Sequence, residues 1–292
     1  MDIDRHEPRI GLALSGGAAR GMAHIGVFQA FAEHGISVYC IAGTSAGSLV
    51  GGSVASGMPL TEIEAISRTL RWRDIGRMTM SRLGVQSNER LEEYLRERLP
   101  VTRFEELPIP FAAVATDLNS GSAVVLREKG DVPFAIRASC AIPGWYVPVT
   151  DEQGRQLVDG GLVANIPSDI ARSLGADIVV AVDVNAEGAK FLGPTLSVVG
   201  VVLQSMLVVQ RVASLHQLDA ADLIVKPAVG HIRWDEMGRA EELISAGYQA
   251  AIEILPTLKA LIEMAMGSTA GWYELRERKE LTSGETSLSV NQ

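Results

Sequence analysis

Residues 9–48 read RIGLALSGGAARGMAHIGVFQAFAEHGISVYCIAGTSAGS. RIGLALS (9–15) is a short apolar run that stops at the glycine-rich GGAARG, the pattern of a buried strand meeting a turn. Met22, Ile25, Phe28 and Phe31 then recur near helical spacing, and Gly35 fits the position just past a helix end. ISVYCIA (36–42) reads as a second strand, and a second helix can form over 46–57. A strand–helix–strand connection of this length crosses over right-handedly and makes its two strands parallel. Parallel strands bring their C-terminal ends to one edge of the sheet, where α/β folds place their sites. The turns SGGAAR and GTSAGS are therefore expected to emerge side by side.

Further along, LTEIEAISRTL (60–70) and ERLEEYLRERL (89–99) read as helices. The stretch between them, including 72–86, has no sustained period. It is either a surface loop or a cap that turns Trp72, Met78 and Met80 towards an apolar substrate. FAAVATDL and SAVVL are strands joined around NSG, and a further strand–turn–helix–strand unit follows in RQLVDGG, a helix over 167–174, and DIVVAVDV. Asp159 stands at the end of its strand in that unit and is expected at the same sheet edge as the two glycine turns. LSVVGVVLQSMLVVQ (196–210) is too short to span a bilayer and is interrupted by Gln204 and Ser205, so a buried or interface helix is expected. The stretch from 268 to 292 turns polar and is expected to be a mobile tail.

The 292 residues are 47% hydrophobic and 21% charged, enough for a substantial core. A formal charge of −9 and the lack of a basic stripe argue against a nucleic-acid partner. Cys40 and Cys140 have no paired spacing, which excludes a disulfide framework and a cysteine-based zinc site and suits a reducing compartment. The charged opening MDIDRHEPR offers no apolar signal segment, so the expected location is the cytoplasm.

The G-x-S-x-G of Gly43, Ser45 and Gly47 has two readings. It is either a helix start packed closely on a sheet or a nucleophile elbow, a tight strand-to-helix turn that exposes a serine. A serine hydroxyl needs a base, and acyl transfer needs donors for the oxyanion. Successive N–H groups of the GGAA turn have the form of an anion-binding nest, whereas its spacing matches neither G-x-G-x-x-G nor a Walker A loop. For the base, VDGG offers Asp159, while Asp117 and Asp183 compete as strand-end carboxylates without a following double glycine. A Ser–Asp–His order using Asp183 with His231, or His216, is the histidine alternative, although few strands precede Ser45. His6, His24 and His34 suit structural roles. Desolvation would raise the pKa of a lone aspartate into a serviceable range.

With these turns in hand, the chain resembles the patatin-like phospholipase family, in particular its bacterial, neuropathy-target-esterase-like members. The likeness covers roughly residues 9–262 and is carried by GLALSGGAARGMAHIGV, GTSAGS, ATDLNSG, RASCAIPGWYVPV, LVDGGLVANIP and LGADIVVAVDV. It implies a three-layer α/β/α fold with a mainly parallel central sheet over 1–267. The implied activity is that of a serine lipid acyl hydrolase acting on lipid or ester substrates through a Ser–Asp dyad, without metal or cofactor. By motif, Ser45 would be the nucleophile and Asp159 the base, with the Gly16, Gly17 and Ala18 amides as the oxyanion hole. Arg20 would brace that loop, and Gly43, Gly47, Gly160 and Gly161 would support the two turns. Ala18 departs from the third glycine usual there, which keeps a non-catalytic regulator binding lipid or protein as the alternative. Transient membrane-surface contact and a homodimer through the 196–210 stretch are further expectations.

Overall fold

The strands β1 (Ile10–Leu14) and β2 (Val38–Thr44) run parallel, with Leu12 opposite Ile41 and Leu14 opposite Gly43. The computed structural model describes residues 7–187 and 198–267. Between β1 and β2 lie a 3-10 turn (Ala18–Met22) and helix α1 (Ala23–Glu33), and after β2 comes α2 (Ala46–Ala55). The helices α3 (Leu60–Thr69), α4 (Trp72–Ile75) and α5 (Glu89–Arg98) follow, with the short strands β3 (Arg77–Met78) and β4 (Gly84–Ser87) between the last two. Next come β5 (Phe111–Asp117), β6 (Ala123–Arg127), α6 (Val132–Ser139), β7 (Gly144–Tyr146), β8 (Val149–Thr150) and β9 (Gln156–Asp159). The remaining elements are α7 (Ser168–Ser173), β10 (Ile178–Val182), α8 (Val198–Gln217), β11 (Leu223–Val225) and α9 (Ala240–Gly267).

The main sheet has the order β11-β10-β1-β2-β5-β9-β8, with β6 also paired to β5. All pairings from β11 to β5 are parallel, and every residue of β1 and β10 is buried, as strands covered on both faces require. Side chains alternate between the two covering layers. Ala13, Cys40 and Ala42 pack with Ala171 of α7 on one face. On the other, Leu14, Ile41 and Phe111 meet α2 so closely that a Cβ on Gly51 would lie 2.7 Å from Ile41. The result is helix, sheet, helix.

One edge of β5 decides where the site forms. β6 pairs with Ala112 through Thr116 and fills one side of β5, so β2 and β9 must share the other. β2 occupies it up to Thr44, opposite Val114, and β9 takes over from Ala115 onwards, running antiparallel. The C-terminal ends of β2 and β9 therefore meet head-on, Thr44–Ser45 against Asp159. Asp159 lies at the expected edge, but it arrives on an antiparallel strand rather than on one of the parallel set. The DGG sequence follows from this meeting. A Cβ on Gly160 would sit 2.2 Å from the Val114 carbonyl and 3.2 Å from Thr44.

Residues 72–86 are more ordered than a surface loop: they form α4 and supply β3 and β4 of a small sheet of order β3-β4-β7. Of the two expectations for 196–210, a buried or an interface helix, its described part, from 198, departs from the buried one. Within α8 the polar Gln210 and Ser214 face the protein, while Val201, Val202, Val208, Val209, Val212 and Leu215 are exposed. The chain divides into a large compact unit, Arg9–Ile254, which holds both sheets, and a small one whose described residues are 7–8 and 255–267. The expected tail, 268–292, lies outside the described residues. Among the described residues no helix is long and apolar enough to cross a membrane.

Candidate active site

Ser45 is the first residue after β2 and adopts φ 54°, ψ −122°. Such a backbone costs a residue with a Cβ roughly 1–3 kcal/mol and persists only where its surroundings enforce it. Here they do. Ser139 Oγ accepts the Ser45 N–H at 2.8 Å and donates to the Val114 carbonyl at 2.6 Å. Ser48 Oγ donates to the Ser45 carbonyl at 2.7 Å. Behind the turn, α2 is pressed so hard on β1 that a Cβ on Gly47 would stand 2.3 Å from the Leu14 carbonyl. A Cβ on Gly43 would likewise stand 2.5 Å from the Gly47 carbonyl across the turn.

Asp159 faces Ser45 from the end of β9. Its Oδ1 accepts the Gly161 N–H at 2.8 Å, and its carbonyl accepts the Thr116 hydroxyl at 2.9 Å. Burial pushes its carboxyl up to about 6, while hydrogen bonds from the Ser45 hydroxyl and Gly161 pull the other way. Cys140 forms part of the same floor, its Sγ 3.9 Å from Ser48 Oγ. Burial, and next the nearby Asp159 charge, hold that thiol above its ordinary value, so it is neutral at physiological pH.

The turn after β1 carries the three amides expected as oxyanion donors. Ala18 has φ 50°, a left-handed conformation in a residue with a Cβ. The Gly16 N–H, expected to serve an oxyanion, is already taken by Asn165, whose Oδ1 lies at 3.1 Å and whose carbonyl lies at 3.2 Å. The amides of Gly17 and Ala18 donate to no group among the described residues, which leaves this pair rather than three. Side chains from afar fix the loop. Asn185 Nδ2 donates to the Gly16 carbonyl at 2.7 Å, and the Ala19 N–H donates to the Trp234 carbonyl at 2.9 Å. Arg20 is buried and committed to the protein, donating to the Ile232 carbonyl at 2.7 Å and to Asn185 Oδ1 at 3.3 Å. Desolvation lowers its pKa, with Glu187 and Glu236 acting against that.

These groups line one cleft, with about 1070 Å³ of empty space including its open mouth. Ile142, Pro143, Trp145, Leu162, Met206 and Trp234 give it apolar walls. That lining suits an acyl chain attached to a small polar centre. Asn165 ties the cleft together. Its Oδ1 accepts from Gly16 and from Gln210 of α8, and its Nδ2 donates to Ser214 at 3.2 Å. The LVANIP motif contains Asn165, but nothing local marks it as a hub, because its partners lie 149 and 45 residues away.

The rival groups are elsewhere. Asp183 pairs with Arg211 at 3.0 Å and accepts the Asn185 N–H, and Asp117 organises its own turn through Asn119 and Ser120. His231 is exposed and bound to Glu242 at 2.6 Å. His216 sits on the outer part of α8, and His34 bonds the Ala30 carbonyl. His24 is fully buried against the Ser15 carbonyl, and burial lowers its pKa to about 4, so it is neutral. Among the described residues, no histidine lines the cleft and no group of three His, Cys, Asp or Glu side chains could hold a metal ion.

Comparison with known proteins bears on this geometry. Residues 12–172 match the family described as patatin-like phospholipase. An uncharacterised NTE family protein of Mycobacterium bovis is 40% identical over 185 residues, covering 62% of this chain and 51% of that protein. Patatin-like phospholipase domain-containing protein 7 of Rattus norvegicus is 34% identical over 190 residues, covering 61% of this chain and 14% of its own length. The chain thus spans about half or less of the relatives it matches. VipD of Legionella pneumophila superposes with a TM-score of 0.59 at 15% identity, covering 86% of this chain and 67% of that one, which is a likeness of fold.

Proposed function

The chain belongs to the patatin-like phospholipase family, and from that premise we propose that it is a cytoplasmic serine lipid acyl hydrolase working through a Ser45–Asp159 dyad. The observation that carries the reading is the head-on meeting of β2 and β9, which sets a serine on a strained turn against a buried carboxylate of raised pKa. Asp159 accepts the hydroxyl proton as Ser45 Oγ attacks the ester carbonyl. The Gly17 and Ala18 N–H groups receive the oxyanion, each such donor being worth about 3 kcal/mol of barrier in comparable sites. Collapse of the tetrahedral intermediate leaves an acyl-serine, and Asp159 returns its proton to the departing alcohol. It then takes a proton from water as that water attacks the acyl-serine, and gives it back to Ser45 Oγ as the fatty acid leaves.

The substrate class, a lipid or simpler carboxylic ester, follows from the apolar cleft walls around one polar centre. Two free cysteines fit a reducing compartment. Transient contact with a lipid surface is part of the proposal, since bilayer substrates must reach the cleft. So is self-association through the outward valines of α8; a monomer by light scattering at micromolar concentration would remove that part.

The deciding experiment is fluorophosphonate labelling of the wild type beside Ser45→Ala and Asp159→Asn. Labelling of the wild type alone is expected, with a rate that rises as pH climbs through about 6, because the base works only when deprotonated. Labelling that survives Asp159→Asn would return the base to a histidine. An unlabelled wild type would favour the non-catalytic regulator.

A further inference from the structure

Residues 68–83 read RTLRWRDIGRMTMSRL, with five arginines against one aspartate in a chain of net charge −9. All five arginines are exposed. Arg68 is paired with Glu64 at 2.7 Å, but the ion pairs of the other four are loose or absent among the described residues. Arg73 lies 3.9 Å from Asp74 and Arg77 lies 3.9 Å from Glu89, while Arg68 is shared between Glu64 and Glu241. Arg71 donates to backbone carbonyls, and Arg82 meets no carboxylate among the described residues. At the turn between β3 and β4 the same segment presents Met78, Met80 and Leu83 at 68%, 102% and 57% exposure. Apolar side chains turned outward on a hairpin amid cationic ones are the composition of a surface that inserts into an anionic interface.

This hairpin is anchored at both ends to the walls of the cleft. β4 pairs with β7, bringing Gly84 opposite Gly144, and Trp145 of β7 lines the cleft. At the other end Trp72 stacks edge-on against the cleft residue Trp234, centroids 5.8 Å apart, and its Nε1 donates to the Asp235 carbonyl at 3.0 Å. We propose that residues 71–83 dock the protein on a membrane surface rich in anionic phospholipid, with Met78, Met80 and Leu83 entering the interface and the arginines meeting the phosphates. The purpose of that docking, delivering lipid to Ser45, rests on the function proposed above. The docking itself does not.

The test measures co-sedimentation of the full chain with vesicles of phosphatidylcholine alone and of phosphatidylcholine mixed with phosphatidylglycerol. Hydrolysis of a soluble short-chain ester is assayed in parallel. Wild type is expected to bind the mixed vesicles preferentially and to release them as salt rises. The Arg73→Gln/Arg77→Gln/Arg82→Gln variant is expected to bind them about 100-fold more weakly, roughly fivefold per charge removed. The Met78→Ser/Met80→Ser/Leu83→Ser variant is expected to lose vesicle binding while keeping soluble-ester hydrolysis. Equal binding to both vesicle types, or unchanged binding by both variants, would overturn the proposal. So would a wild-type oligomer that ignores vesicles and dissociates in the apolar variant, which would give the surface to a second copy. Vesicle binding together with full ester hydrolysis by Ser45→Ala would leave the docking standing and bring down the dyad alone.

Discussion

The turns after β1 and β2 leave neighbouring parallel strands, and each places a residue with a Cβ at positive φ, Ala18 at 50° and Ser45 at 54°. They are held by different means. The Ser45 turn is hydrogen-bonded on both sides of its peptide, by Ser139 at the N–H and by Ser48 within the helix it starts. The Ala18 turn keeps two amides unbonded among the described residues and is steadied from outside by Asn165, Asn185 and Arg20. On the proposed mechanism the difference is functional: a nucleophile needs its backbone fixed, whereas an oxyanion loop needs its donors left open and must take its rigidity from elsewhere. The first arrangement would put hydrogen bonds on the reacting residue itself, and the second puts them on its neighbours.

That contrast makes the two supports separable by substitution. Asn165→Ala removes an acceptor for Gly16 and for Gln210, but the Asn165 carbonyl still accepts from Gly16. The fold should survive while the donors drift, so the largest effect is expected in kcat, a fall of about 100-fold, within the range for losing one oxyanion donor. Ser139→Ala instead strands the buried Ser45 N–H and Val114 carbonyl, and each unsatisfied group costs about 1–3 kcal/mol. Its expected signature is a lowered thermal midpoint with a smaller fall in kcat, about tenfold, the factor that 1.4 kcal/mol supplies. Denaturation and turnover measured on both variants decide the matter. If Asn165→Ala costs mainly stability and Ser139→Ala mainly rate, the distinction between the two turns is wrong.

What the sequence discloses follows the same division. Glycines at 43 and 47 around Ser45, and at 160 and 161 after Asp159, are local requirements of close backbone approach, so they are legible one stretch at a time. The parallel pairing of β1 and β2 is legible too, because crossover handedness dictates it. The direction of β9 is not. A four-residue strand reads alike in either direction, and only its pairing beyond the end of β2 shows how Asp159 reaches Ser45. The small sheet is hidden because β3 is two residues long and β4 pairs with a strand some sixty positions later. The supporting roles of Asn165, Asn185 and Ser139 are hidden for a related reason, since each makes its bonds far along the chain. The outward valines of α8 show a further limit, since hydropathy marks a helix as apolar without saying which side its few polar residues face.

The smallest expected effect probes the comparison most finely. Ala18→Gly should relieve the left-handed backbone, which costs an L-residue about 1–2 kcal/mol. Against that, glycine widens the unfolded ensemble, which destabilises by about 0.4–1 kcal/mol. The two partly cancel, leaving a net stabilisation between about 0 and about 1.6 kcal/mol. If the Gly17 and Ala18 amides are already well aimed, kcat should stay within about fivefold of wild type, the factor equivalent to 1 kcal/mol. A larger rise would mean that the alanine holds its donor off line, so the outside support of this turn is incomplete. A fall in stability would point to the methyl group instead. Ala18 also walls a second, apolar cavity with Ile25, Leu49, Val50 and Met58, and there its Cβ would be packing rather than strain. Chemical denaturation beside ester turnover separates these outcomes, because strain relief moves both in one direction and lost packing moves stability alone.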